Sequence, residues 1–279
     1  LAIFQPIFRG VRAIMYNTLE ERAAIHAVAG NQDVPGIVVG VGSAIPSSVE
    51  PERGRLKFGL SRPFLVYIGR IDPNKGCAEM FDFFRRYIDR SGRLLDLILI
   101  GTEGLAIPDD PRIRHLGFVS DQDKFDVLSA AEALIMPSYF ESLSMVMLEA
   151  WALGRPVLAN GRCDVLAGQC QRSDAGLCYE NASEFAAALD RLFHDPSYGL
   201  ALGSHGREYF ARHYSWPVIE HKYVDMFDRL TGEPAQQRME RPLGWFDRRK
   251  PTIPAATVVV AGLPSGSVPA PETMPGVSA

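Results

Sequence analysis

Two carboxylates, Glu141 and Glu149, stand eight positions apart, with Ser142 to Leu148 between them. Paired carboxylates invite an acid/base reading, yet such a spacing is common by chance and the surroundings must decide. Glu141 falls just before an apolar run that reads as a helix over 142–153, and Glu149 falls inside it. Pro137-Ser138 closes the strand in front, and Gly154-Arg155-Pro156 stops the run. The start of a helix has unpaired N–H groups and the positive end of the helix dipole, so a strand, a short loop and a helix start can seat an anion. Ser142 and Glu149 are about two turns apart at 3.6 residues per turn, which predicts that they share a face. The N–H groups of Ser142, Leu143 and Ser144 would then hold a phosphate while Glu149 accepts hydrogen bonds from a vicinal diol. The competing expectation is an ion pair of Glu149 with Arg155 or another nearby cation, because a bare carboxylate in an apolar helix is costly.

Cations suited to phosphate lie earlier. Gly69-Arg70-Ile71-Asp72-Pro73-Asn74-Lys75-Gly76 follows the apolar run Phe64–Ile68 directly. Arg70 can grip two oxygens with its fork, Lys75 is a mobile point charge near the next helix, and Gly69 lets the backbone come close. The competing expectation is a solvated loop whose cations pair with Asp72. Gly101-Thr102-Glu103-Gly104 is a weaker phosphate turn. Leu116 to Ser120 is a loop whose backbone could read a flat base beside Phe118 or Val119, or an ordinary connection. The six histidines are scattered, and no Walker, Gly-x-Ser-x-Gly or strand-linked Gly-x-Gly-x-x-Gly pattern occurs. No metal site is expected.

The elements that must position these residues alternate. Strands are expected over 64–68, 94–100, 113–116, 133–136 and 156–159, with helices over 75–90, 121–130 and 142–153. Continuous apolar strands alternating with helices argue for an α/β fold, a Rossmann-like doubly wound parallel sheet with ligands beyond the strands' carboxyl ends. Before it, a strand over 12–16, a helix over 18–29 and a strand over 34–41 form one αβ unit, and 47–61 reads as a polar connection. Helices over 183–193, 198–213 and 216–230 follow. Beyond 231 the Pro, Gly, Ala and Ser content predicts disorder.

The whole chain sets broader limits. Its 279 residues, 47% of them hydrophobic, suffice for a sizeable core. A formal net charge of −4 argues against nucleic-acid binding. No apolar run reaches the roughly 18 residues of a membrane span. The four cysteines show no zinc spacing and are expected reduced, as in the cytosol. Leu1 in place of an initiator Met leads us to expect a fragment.

In this order the motifs resemble the nucleotide-sugar domain of retaining GT-B glycosyltransferases of the family 4 type. The matching pieces are Gly69-Arg70 with Lys75-Gly76, Gly117 before a helix, Pro137-Ser138, Glu141 with Glu149, and Gly154-Arg155-Pro156-Val157. The likeness covers roughly residues 12–230. It implies that Arg70 and Lys75 bind the donor diphosphate, that Glu141 lies by the donor sugar, and that Glu149 binds the ribose. It also implies that the amides of Ser142, Leu143 and Ser144 hold phosphate or sugar oxygens, and that Phe118 and Val119 contact the base. Glu141, Arg70 and Lys75 are the expected catalytic set, with Gly69 completing the donor site.

The resemblance further implies a UDP-, GDP- or ADP-sugar donor and a sugar, lipid-linked or polysaccharide acceptor. Configuration would be retained, with no cofactor and no obligatory metal. Cytoplasmic placement follows, with peripheral contact at the inner membrane face through the N-terminal domain. Residues 1–50 would be a remnant of that acceptor domain with a linker, 51–214 the donor domain, 215–230 the closing helix and 231–279 the tail. Ser144 stands where the family often has Gly. With so little of the N-terminal domain present, the closing helix is expected to have little to pack on.

Overall fold

A computed structural model describes residues 4–232. Two sheets organise them. The smaller has two parallel strands, β1 (Ile14–Tyr16) and β2 (Gly36–Val38), joined through helix α2 (Leu19–Ala29) and preceded by α1 (Gln5–Gly10). Thr18 caps α2 by accepting from Glu21 N–H at 3.1 Å, which is why the helix starts where it does.

After α3 (Pro51–Phe58) comes the larger sheet. Its strands are β3 (Phe64–Ile68), β4 (Asp96–Ile100), β5 (Ile113–His115), β6 (Ala133–Met136), β7 (Val157–Asn160) and β8 (Gly176–Tyr179). The helices between them are α4 (Cys77–Ser91), α5 (Asp121–Ala130), α6 (Met145–Ala152) and α7 (Asp164–Ser173). A 3-10 turn, Pro73–Lys75, leads into α4. Helices α8 (Ala182–His194), α9 (Pro196–His213) and α10 (Trp216–Gly232) close the described chain. The order β5-β4-β3-β6-β7-β8 is parallel throughout.

Strand β3 shows why its sequence is apolar at every position. Phe64, Val66 and Ile68 enter the core on one face, with α5, α6 and α7. Leu65 and Tyr67 enter the core on the other, with α4 and α8. From β3 the chain builds outward through β4 and β5, then returns to place β6 on β3's other side. The order therefore reverses between β3 and β6, where a crevice opens beyond the carboxyl ends.

Several boundaries and one connection differ from expectation. The polar stretch 47–61 holds α3, with Pro51 in its first turn and Gly59 closing it at φ 60°. It packs on α5 at close range: a Cβ on Gly54 would stand 2.8 Å from the Asp126 carbonyl carbon. Arg53 grips the fully buried Asp126 carboxylate, which also accepts from Glu50 N–H at 2.8 Å. Burial opposes the charge on Asp126, but these bonds outweigh it and hold the carboxyl below its usual range. The region 160–182 supplies α7 and β8, which the sequence reading leaves unassigned. The helix expected from 142 starts only at Met145, with Ser144 as its cap. The tail expected to be disordered lies, from 233 on, outside the described residues.

The last helices are better anchored than expected. Helix α9 meets α6 through glycines: a Cβ on Gly203 would stand 2.1 Å from the Gly154 carbonyl oxygen, and one on Gly206 2.5 Å from the Trp151 ring. Helix α10 buries Ile219 and Met226, and Lys222 Nζ donates to the carbonyls of Val39 at 3.1 Å and His213 at 3.0 Å.

Candidate functional site

The loop after β3 forms one wall of the crevice. Gly69 (φ 152°) and Gly101 (φ 133°) end neighbouring strands so closely that a Cβ on Gly101 would stand 2.1 Å from the Gly69 oxygen. Tyr67, buried under the loop, donates its hydroxyl to the Arg70 carbonyl at 2.7 Å. Burial pushes the Tyr67 phenol well above its ordinary pKa, so it stays a neutral donor. Asp72 caps the 3-10 turn by accepting from Asn74 N–H at 2.8 Å. Its other oxygen lies 3.2 Å from the Arg70 guanidinium. The solvated pairing weighed for this loop is therefore what Arg70 does.

Lys75 does something different. Its Nζ lies 2.7 Å from Glu141 Oε1, bridging the loop after β3 to the loop after β6. Gly76 makes that approach possible. It sits at φ 71°, and a Cβ there would stand 2.1 Å from the Pro137 carbonyl oxygen. Pro137 is held in turn, since its carbonyl accepts from Asn160 Nδ2 at 3.0 Å.

The loop from Ser138 to Ser144 forms the opposite wall. Ser144 Oγ accepts from Met147 N–H at 3.3 Å, so Ser144 is the helix cap while Ser142 and Leu143 precede the helix. This corrects the expectation that Ser142 and Glu149 lie two turns apart on one helical face. The Leu143 side chain packs on the core, and Ser142 is exposed. Beside Glu141, Tyr139 donates to Glu79 at 3.0 Å and lies under the Arg162 guanidinium, 5.0 Å from the ring centre. Arg162 also pairs with Glu79. A cavity there is lined by Glu141, Phe140 and Arg162 on one side and Glu20 and Glu21 of α2 on the other.

Glu149 is the most buried charge of the set, at 7% exposure. Its partner is not Arg155, which donates to the Ala131 carbonyl at 3.1 Å. Instead Oε1 accepts from Lys124 Nζ at 3.0 Å and from Ser43 Oγ at 3.2 Å. Oε2, buried as well, has no hydrogen-bond partner among the described residues. Lys124 also lines a cavity of about 220 Å³ with Gly69, Arg70, Thr102, Phe118, Val119 and Asp121. Phe118 stands 88% exposed at its lip.

The structure thus brings Gly69, Arg70, Phe118 and Val119 to one cavity, ties Glu149 to it through Lys124, and places Glu141, paired with Lys75, at the other. Lys124, Ser43 and Arg162 were not legible as members. A lysine on a helix reads as solvated, and Ser43 sits more than a hundred positions from its partner in the chain. Chemically, the crevice presents two cations that can face an anion and a buried carboxylate with one acceptor oxygen unpartnered among the described residues. Among the described residues no cluster of His, Cys, Asp and Glu could hold a metal ion, and no helix is long and apolar enough to cross a membrane.

Known proteins agree with this architecture. Residues 62–195 match the family model described as glycosyl transferases group 1. Alpha-maltose-1-phosphate synthase of Mycobacterium tuberculosis is 26% identical over 61% of this chain and 49% of its own length. D-inositol 3-phosphate glycosyltransferase of Streptomyces bingchenggensis is 30% identical over 62% of this chain and 42% of its own. The chain therefore spans about half the length of the curated relatives it matches. Among solved structures, HepE of Anabaena in complex with UDP superposes with a TM-score of 0.67 at 16% identity, covering 78% of this chain and 64% of that one. The sheet, the crevice at its reversal and the match over 62–195 agree: residues 62–195 are a group 1 glycosyltransferase segment, and the larger sheet has the fold of one half of a GT-B glycosyltransferase.

Proposed function

We propose that the crevice binds a nucleoside diphosphate sugar, UDP-, GDP- or ADP-linked, and that the parent enzyme moves the sugar to an acceptor hydroxyl with retained configuration. The observation that carries this reading is the Lys75–Glu141 contact across the crevice, 2.7 Å long, together with a buried Glu149 whose Oε2 has no partner among the described residues. HepE was solved with UDP, which supports a nucleotide in the corresponding half of this fold.

In the proposed reaction the bond between the sugar's anomeric carbon and the diphosphate oxygen breaks, and a bond to the acceptor oxygen forms on the same face. The acceptor's proton passes to the departing phosphate. Lys75 and Arg70 offset the charge that grows on the diphosphate. A diphosphate reaching Lys75 displaces Glu141, freeing that carboxylate to hold the donor sugar's hydroxyls. Phe118 and Val119 flank the base, the backbone of Ser142 and Leu143 faces sugar or phosphate oxygens, and Glu149 takes the ribose diol. The chemistry assigned to these residues needs no cofactor and no metal.

Residues 1–50 with the linker would then be part of the acceptor domain, 51–214 the donor domain and 215–230 the closing helix. The acceptor is a sugar, lipid-linked sugar or polysaccharide, reached from the cytoplasmic side with peripheral membrane contact through the N-terminal domain. Titration calorimetry of the chain with UDP, GDP and ADP tests the donor assignment. One nucleotide should bind with micromolar affinity, and absence of binding by all three would overturn it. A second reading is a nucleotide-sugar-binding piece without catalysis of its own. Transfer assays on this chain and on a full-length parent separate the two.

A further inference from the structure

We infer that Ser43 is a positioning residue that aims Glu149 at the nucleotide's ribose, so that the site for the donor is completed by the segment leaving the small sheet. The inference rests on the nucleotide reading above.

A carboxylate can turn about its last side-chain bond, which exchanges its two oxygens. In Glu149 that freedom is removed by two donors on the same oxygen: Lys124 Nζ at 3.0 Å from α5 and Ser43 Oγ at 3.2 Å from the segment after β2. Oε2 is left as the oxygen on offer, buried and without a partner among the described residues. A buried acceptor left in that state costs about 1–3 kcal/mol, a cost that a ligand hydroxyl removes. Either donor alone would leave the carboxylate free to swing towards it with both oxygens.

Ser43 owes its place to contacts far from the crevice. Lys222 of α10 holds the Val39 carbonyl at 3.1 Å. Gly40 lies against Tyr214, where a Cβ would stand 2.8 Å from the ring, and Gly42 against Trp216 at the same 2.8 Å. Side chains at 40 or 42 would therefore lift the segment and withdraw Ser43. The small sheet, α10 and the ribose carboxylate are linked through one hydroxyl.

The test compares a ribonucleoside diphosphate with its 2′,3′-dideoxy counterpart by calorimetry on the whole chain, using whichever of UDP, GDP or ADP binds. The wild type should prefer the ribonucleotide. Ser43→Ala should shrink that preference about three- to tenfold, the worth of one hydrogen bond, with affinity for the dideoxy compound unchanged. Ser43→Thr, which keeps the hydroxyl, should restore the preference. An unchanged preference in Ser43→Ala overturns the positioning role. Equal binding of the two ligands by the wild type overturns the assignment of Glu149 to the diol, and the positioning role with it. No binding of any nucleoside diphosphate overturns the underlying reading instead.

Discussion

The two walls of the crevice hold their charges in opposite ways. On the wall after β3, Arg70 and Lys75 are partly exposed and their partners, Asp72 and Glu141, reach them from loops. On the wall built by α6, Glu149 is buried and fixed by donors from two other elements. Exposed ion pairs contribute about 0–1 kcal/mol each and are screened by salt. An arriving anion can displace Asp72 from the exposed Arg70 at little cost, whereas the half-buried Lys75–Glu141 pair opens only if the anion takes the place of Glu141. A buried pair is different, because removing one partner strands the other at a cost of several kcal/mol. The first wall is thus built to exchange partners, the second to keep its geometry.

The strongest way to break this contrast is at Gly76. Gly76→Ala places a Cβ against the Pro137 oxygen at a positive φ, so both walls should separate. We expect a loss of stability of about 2–4 kcal/mol in denaturant titration, with nucleotide affinity abolished. Next, Lys75→Ala should weaken nucleoside diphosphate binding at least tenfold by calorimetry and flatten its dependence on salt; undiminished affinity would remove Lys75 from the phosphate site. Glu149→Gln should weaken binding by about tenfold while leaving the salt dependence as it is, since the lost interaction is with hydroxyls.

The smallest expected effect comes from a charge that belongs to neither wall. Asp110 is held at about 2 chiefly by hydrogen bonds from Arg112, against an ordinary value of 3.8. A depressed folded-state pKa gives stability that is present above 3.8 and lost as pH falls towards 2. Asp110→Asn should therefore reduce the acid-induced drop in melting temperature across that window by a few degrees. An identical acid profile in the variant would show that the pair contributes nothing.

How much was legible followed from what holds each element. Helix α5 and strand β6 stand where the sequence placed them, because apolar spacing or a continuous apolar run is their reason for existing. Helix α3 was invisible because it is not held that way. Leu56 on it is 81% exposed, and the Arg53 grip on Asp126 does the anchoring. Site residues divide similarly. Lys75, Glu141 and Glu149 announce themselves by spacing, whereas Ser43 and Lys124 earn their places only through a fold that brings three elements to one oxygen. The start of α6 was misplaced by three residues because apolar character runs on from 143, while the capping hydroxyl of Ser144 decides where helical bonding begins.

The glycine seam between α6 and α9 has a consequence of another kind. Gly203 and Gly206 line neither of the two cavities described above, yet they let α9 rest against the back of the helix that carries Glu149. A survey of random variants scored only for sugar transfer would place these two positions beside the active-site residues. Scored for folding as well, they would move apart from them, because the first thing lost at the seam is the shape of the molecule.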